Sequence, residues 1–377
     1  MRMLFVVLTG QGHIAPTLPL VAELVRRGNQ VDYACEKPVG AEENWVELPL
    51  MSPYVPEDDD VMAGWFKHFL KAMSATYPVL LDHCTRSRPD VIVYDSTNWP
   101  ARLVAGKLGI PAVRTIPNFA ANEAFPLHRT MTAMLTPDAR GALEAECAAF
   151  SRQHGVPLDF DGTLDAAERL NLVFLPREFQ PEGDSFGEDF RFIGPMLGDR
   201  ARHEQWTPPV PSRPLLYISL GSVLNDVDFY TTCLNEFGDT EWQVAMTIGE
   251  TNPADLGPVP SNIEIRPRFP QVAVLRQADV FISHTGMNST MEALAYGVPI
   301  VAFPLTPEQA ANADRVVQLE LGERVLPGDS LKAAVDRVRT KDLGWIRDVI
   351  GNSGGAARGA DEIENYLVGT RGTQRAL

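Results

Sequence analysis

The sequence predicts an α/β protein made of two doubly wound, mostly parallel sheets, and three observations carry that prediction. Short apolar runs of strand length alternate with amphipathic helical stretches along the chain. Two of those runs, residues 4–8 and 215–220, pass directly into glycine turns (Thr9-Gly10-Gln11-Gly12 and Gly221-Ser222), so the second half restarts as the first began. Between them, residues 198–214 are charged and carry Pro208, Pro209, Pro211 and Pro214, the composition of an interdomain linker. With 377 residues, 45% of them hydrophobic, the chain can fill the cores of two ordinary domains.

The elements follow in order. Residues 4–8 read as a buried strand, 16–27 as a helix with Leu18, Leu20, Val21, Leu24 and Val25 on its apolar side, and 30–33 as the next strand after Gly28. Gly10-Gln11-Gly12 lacks the third glycine of a dinucleotide fingerprint, which argues against NAD. Residues 38–57 read as irregular. A long helix over 61–84 carries Trp65, Phe66, Phe69, Leu70, Met73 and Tyr77, and the strand 91–94 ends on Asp95. A helix (100–108), a strand (112–116), an Ala-rich helix (132–154) and a strand (170–175) complete the first half, which closes at Phe192-Ile193-Gly194-Pro195. The expected domains are 1–197 and 215–355, with a last helix within 356–377.

Charge and cysteine usage exclude several classes. Against 49 acidic residues there are 33 basic ones, a net charge of −16 that repels nucleic acid and anionic membrane surfaces. Four scattered cysteines (Cys35, Cys84, Cys147, Cys233) suit free thiols in a reducing cytoplasm. The N-terminal apolar run is too short for a signal peptide, and no run approaches the ~18 apolar residues of a membrane span. A soluble cytoplasmic protein is expected, with no stable membrane insertion.

The chemistry concentrates between Arg268 and Arg315. The strand at 280–283 runs into His284-Thr285-Gly286, and a helix starts near Asn288-Ser289, with either residue as the expected N-cap. A strand, a glycine turn and a helix N-terminus make a phosphate site, because backbone N–H groups and the helix dipole face the anion. His284 can donate to the same anion. The strand around 299–304 then delivers Glu308-Gln309, whose acceptors and donors suit sugar hydroxyls. A diphosphate grip beside a hydroxyl grip is a nucleotide-sugar site. In the first half, His13 follows the first strand and Asp95 ends a later one, so both face the carboxyl edge of one sheet. A histidine backed by a carboxylate can serve as a general base, although judged from residues alone a loop histidine after a strand is more often structural or a surface residue.

These motifs, in this order over nearly the whole chain, resemble the family 1 glycosyltransferases of the GT-B fold, most closely the bacterial macrolide and natural-product enzymes. The resemblance implies two Rossmann-like domains facing across a cleft, the last helix packing back on the first, and His13 with Asp95 as the catalytic dyad of an inverting O-glycosyltransferase. It also implies that Ser222, His284, Gly286, Met287, Asn288 and Ser289 bind the diphosphate and Glu292 the ribose. Arg268, Phe269 and Gln271 would flank the base, and Glu308 and Gln309 would hold the hexose. The donor is expected to be a nucleoside diphosphate sugar acting as co-substrate, UDP-glucose first, with no essential metal or other cofactor. Many relatives carry Trp where this chain has Arg268, which keeps a dTDP-deoxysugar donor open. Glu308 replaces the commoner Asp, which leaves the hexose less fixed. The expected acceptor is a small apolar hydroxylated molecule meeting Trp65, Phe69, Trp99, Phe119 and Phe125, aromatics that also suit a core; His128 or Asn118 could approach it.

Other motifs point elsewhere. Asp58-Asp59-Asp60, Asp159-Phe160-Asp161 and Asp226-Val227-Asp228 match the D-x-D of metal-dependent transferases but follow no buried strand, and read as solvated loops. Asp159-Phe160-Asp161-Gly162-Thr163 resembles a phosphatase motif, yet residues 151–158 are polar with Gly and Pro rather than a strand. His68, His83, His128, His154 and His203 show no metal-ligand spacing. A nucleotide-sugar epimerase of the same fold is the alternative activity, against which His13 with Asp95 argues, and a non-catalytic nucleotide-sugar binder is the third reading.

Overall fold

The computed structural model describes residues 1–7, 10–38, 44–51, 61–164, 166–198, 204–221, 226–326 and 328–375. Ser222, Asp58, Asp59, Asp60 and His203 lie outside them. The chain divides into two units, Met1–Met196 together with Gly354–Leu377, and Leu197–Ser353.

In the first unit, seven described strands form one parallel sheet: β1 (Arg2–Val6), β2 (Gln30–Cys35), β3 (Trp45–Glu47), β4 (Val91–Asp95), β5 (Ala112–Ile116), β6 (Asn171–Val173) and β7 (Phe190–Phe192). Their order is β3-β2-β1-β4-β5-β6-β7. Side chains alternate across a strand, and β1 shows it: Leu4 and Val6 join one core, Met3 and Phe5 the other. β3 lies within the stretch expected to be irregular. Its three residues, pairing Tyr33↔Trp45 at the sheet edge, are too few to give a periodic signal. The long helix spans Val61–Ser87 and buries Phe66, Phe69, Leu70, Met73 and Tyr77, whereas Trp65 stays 37% exposed.

The last helix, Gly355–Arg375, belongs to this first unit. Ala360, Ile363 and Leu367, spaced for one helical face, enter the core of Leu20 and Leu24, each large side chain contributing about 1.5–3 kcal/mol. Arg27 fixes the register, donating to Asp361 (2.6 Å), Glu364 (2.9 Å) and the Ala357 carbonyl (3.0 Å). An alanine at Ile363 should cost about 2–5 kcal/mol by the cavity it leaves.

The second unit carries six described strands, all parallel: β8 (Leu215–Ser219), β9 (Gln243–Thr247), β10 (Ile263–Arg266), β11 (Val280–Ser283), β12 (Ile300–Ala302) and β13 (Gly322–Arg324), ordered β10-β9-β8-β11-β12-β13. β8, β9, β11 and β12 are buried throughout, as strands covered on both faces must be. The described part of the proline-rich stretch is fastened to this unit. Gln243 Nε2 donates to the Val210 and Arg213 carbonyls, both at 2.8 Å, and Gln277 Nε2 to that of Trp206 at 2.7 Å. No helix among the described residues is long and apolar enough to cross a membrane.

Candidate active site

In each sheet the strand order reverses once, between β1 and β4 in the first and between β8 and β11 in the second. Open α/β sheets bind ligands beyond the carboxyl ends of the strands at such a point. Each reversal here is flanked by a histidine.

In the first unit, the one-turn helix Gln11–Ile14 follows β1 and carries His13, while Asp95 is the last residue of β4. His13 Nδ1 lies 2.8 Å from Asp95 Oδ2. The imidazole is 22% exposed and the carboxylate 1%. Asp95 Oδ1 accepts from the Thr97 backbone N–H (3.0 Å) and hydroxyl (2.6 Å), so both oxygens are occupied. Burial would push the Asp95 carboxyl up, but the facing imidazole and the Thr97 donors outweigh it and hold the group below its ordinary range. An ionised Asp95 on Nδ1 leaves Nε2 as the proton-accepting nitrogen. Thr97 escaped the sequence reading, though Asp-Ser-Thr is the signature of a side-chain-capped turn.

A second histidine–aspartate pair joins the long helix to β2, beside β1. His83 Nε2 lies 3.1 Å from Asp32 Oδ2, but Arg2 occupies that oxygen as well, at 3.2 Å.

Of the five aromatics expected to meet an acceptor, three are core. Phe69 and Trp99 are buried, and Phe119 is buried against Phe179 with ring centroids 5.9 Å apart. Helical periodicity and strand-end position place a ring without saying which side it faces. Trp65, stacked on Phe69 at 5.3 Å, and Phe125, edge-on to Phe119 at 5.9 Å, present surface.

In the second unit, His284 follows β11 and packs between two glycines. A Cβ at Gly286 would stand 2.6 Å from His284 Nε2 and one at Gly221 3.0 Å, so only glycine admits the ring on either side. Gly221 also has φ +86°, open to glycine at no cost. Burial lowers the His284 pKa, partly offset by the Ser219 backbone, so the ring is neutral at pH 7. Thr285 between them has φ 61°, a strained value for a β-branched residue. The strain is held by its N–H to Ser283 Oγ (3.0 Å), its hydroxyl shared between the His284 (2.6 Å) and Gln309 (2.9 Å) carbonyls, and its carbonyl accepting from Asn312 Nδ2 (3.0 Å). Two of these strap the turn to the helix Pro307–Gln318, and so fix the Gln309 backbone against Thr285. Glu308 is exposed, and Gln309 Oε1 accepts from the Leu305 N–H (2.8 Å).

The helix after the turn is Met287–Ala295, capped by Gly286 rather than by Asn288 or Ser289 as expected. The left-handed Thr285 completes the reversal early, and the helix starts at once. Its first turn offers N–H groups that lack intrahelical acceptors. Farther along, Glu292 is 5% exposed and accepts from Gln271 Nε2 at 2.7 Å. Gln271 Nε2 also reaches Ser289 Oγ (3.0 Å), and its Oε1 accepts from Tyr217 (3.3 Å). Arg268 is exposed. Phe269 is not: it is buried against Trp206, Tyr217 and the Arg266 guanidinium, so its ring is taken up by packing.

The competing motifs are accounted for structurally. Asp226 caps the helix Val227–Phe237, Asp159 caps the turn at Gly162 (2.6 Å), and Asp161 pairs with Arg140 (2.8 Å). Among the described residues no three His, Cys, Asp or Glu side chains group as a metal site requires.

Residues 231–344 match the family model of the erythromycin biosynthesis protein CIII-like C-terminal domain. The chain is 37% identical to the NDP-glycosyltransferase YjiC of Bacillus licheniformis over 94% of its own length and 95% of the relative. It is 34% identical to the demethyllactenocin mycarosyltransferase of Streptomyces fradiae, covering 96% and 86%. Among solved structures it is similar to the calicheamicin glycosyltransferase CalG4, with TM-score 0.85, 33% identity and 98% of both chains covered.

Proposed function

The chain belongs to the natural-product glycosyltransferases of the GT-B fold, and from that premise we propose that it is an inverting O-glycosyltransferase moving glucose from UDP-glucose to a hydroxyl of a small apolar acceptor. The observation that carries the reading is the 2.8 Å contact of His13 Nδ1 with a buried, ionised Asp95 at the sheet's reversal point. His13 Nε2 takes the proton of the acceptor hydroxyl, and the oxygen attacks the anomeric carbon of the sugar. The bond from that carbon to the diphosphate oxygen breaks, and the nucleoside diphosphate leaves with the electron pair. One displacement inverts the centre. Asp95 stabilises the imidazolium and holds the ring's tautomer.

The leaving diphosphate is met by the N-terminus of the helix Met287–Ala295 and by His284, whose single N–H exchanges the Ser219 carbonyl for a diphosphate oxygen, work that needs no metal. Glu292 and Gln271 receive the ribose hydroxyls, and Glu308 and Gln309 those of the hexose. Trp65 and Phe125 offer the acceptor its apolar contact. A dTDP-sugar donor is the second reading, favoured by Arg268 at the base position. The similar proteins named above are transferases, which favours transfer over epimerisation.

The test is product mass and nucleoside diphosphate release with UDP-glucose, then dTDP-glucose, against a panel of hydroxylated polyketides and flavonoids. The expected product is the acceptor plus one hexose, with inverted anomeric configuration by NMR. Donor converted to an epimer without acceptor, or retained configuration, overturns the proposal.

A further inference from the structure

A cavity of about 290 Å³ opens in the first unit between the long helix Val61–Ser87 and the helix Pro137–His154. That is close to the ~300 Å³ at which small-molecule sites begin, and no strand end lines it. Its floor is apolar: Leu70, Cys147, Phe150 and Leu158 are all buried. Burial pushes the Cys147 thiol up to about 12, so the floor carries no charge at pH 7. The floor is also fixed. Tyr77 and Trp99 stand edge-on to the Phe150 ring at 5.2 and 5.1 Å. Ser151 Oγ donates to the Leu158 carbonyl (3.1 Å) and accepts from its N–H (2.9 Å).

The rim is charged. Lys67 and Lys71, one turn apart on the long helix, are exposed and have no ion-pair partner among the described residues. The Ser74 hydroxyl donates to the Leu70 carbonyl at 2.8 Å, which leaves the two ammonium groups as the anion donors. Glu146, on the other helix, is the one carboxylate in the lining, so the rim is positive in a chain whose net charge is −16. By helical spacing Trp65 lies on the opposite side of the long helix from Lys67, Leu70, Lys71 and Ser74. An occupant of the cavity therefore does not share the apolar contact proposed for the acceptor.

We propose that this cavity is a second small-molecule site, taking an amphiphilic monocarboxylate whose hydrocarbon lies on Phe150 and Leu158 and whose head meets Lys67 and Lys71. Glu146 sets the polarity, repelling the carboxylate from its own helix and turning the head toward the lysines. Neither the donor nor the base assigned above enters the inference.

The test is calorimetry of the full chain with octanoate, octan-1-ol and octylamine, for the parent, K67A/K71A, E146Q and W65A. K67A/K71A changes exposed side chains, so its urea midpoint should match the parent's. It should weaken octanoate by about 10-fold, the scale of two exposed charge contacts, while octan-1-ol binds it and the parent alike. Salt near ~1 M, where the screening length is ~3 Å, should erase most of that difference. E146Q should tighten octanoate by about 3-fold. W65A, on the other side of the helix, should bind octanoate as the parent does. Octanoate bound equally by parent and K67A/K71A overturns the inference, as does octylamine bound by the parent as tightly as octanoate. A loss confined to W65A moves the occupant to the acceptor contact and overturns it too, and a parent that binds no octanoate ends it outright.

Discussion

The two sheet reversals use the same device for opposite ends. Each places a histidine just past a strand beside the point where the strand order turns. His13 faces a buried carboxylate whose other oxygen is capped by Thr97. His284 faces glycine on both sides and no carboxylate, and burial lowers its pKa. A histidine backed by fixed negative charge is built to gain a proton; one desolvated among glycines is built to stay neutral and donate. The fold supplies the position, and the neighbours decide the chemistry. The His83–Asp32 pair sharpens the point: with Arg2 on the same oxygen and Asp32 within β2, it has a base's partner without a base's place.

The comparison breaks first at His13. H13A should lower transfer by about 10³-fold, within the range of a lost general base, and leave the calorimetric affinity for UDP unchanged. Transfer at the parent rate would assign the base elsewhere. D95N, which keeps a side chain beside the ring but removes the charge, should cost about 10²-fold, and H13A/D95N should be no slower than H13A because the two act as a unit. Additive losses would mean that Asp95 works independently of the imidazole. H284A should lower kcat by about 30-fold, less than the loss of a sole oxyanion donor, because the helix N–H groups share the charge. E308A should raise KM for the sugar nucleotide by about 10-fold with UDP affinity intact, the effect of one lost charged hydrogen bond; a collapse of UDP binding would move Glu308 out of the sugar subsite.

The smallest effect separates the two sites by acid. His284 has a folded pKa below its ordinary 6.5, so its share of stability is full above that pH and drains as the pH falls toward the folded value. Asp95, held below its ordinary 3.8, keeps its share above that pH and loses it only as the pH falls through the folded value. Between pH 7 and 5.5 the parent's urea midpoint should therefore fall more than that of H284Q. Equal slopes for parent and H284Q would show that the ring is not desolvated.

Much of this was legible in the sequence because it rests on position along strands. Apolar runs ending in Asp95, in Gly221 and in His284 mark strand ends that flank both reversals, while the pairing of β1 with β4 and of β8 with β11 comes from the structure alone, because alternation does not fix strand order. What was hidden depends on direction and strain. Trp99 and Phe119 sit where an acceptor contact was expected, yet their rings turn inward. Thr285 carries no sign of its left-handed backbone, which moves the helix cap from Asn288 or Ser289 to Gly286. β3 is too short to announce itself.

The helix Gly355–Arg375 completes the first unit although it is made after the second. A ribosome emits residues 1–196 with the groove beside Leu20 and Leu24 still uncovered, and the whole of the second unit follows before Ile363 and Leu367 arrive to close it. During synthesis the second unit can therefore mature while the first, which carries His13, waits, and a nascent chain stalled near residue 350 should hold one finished domain and one unfinished.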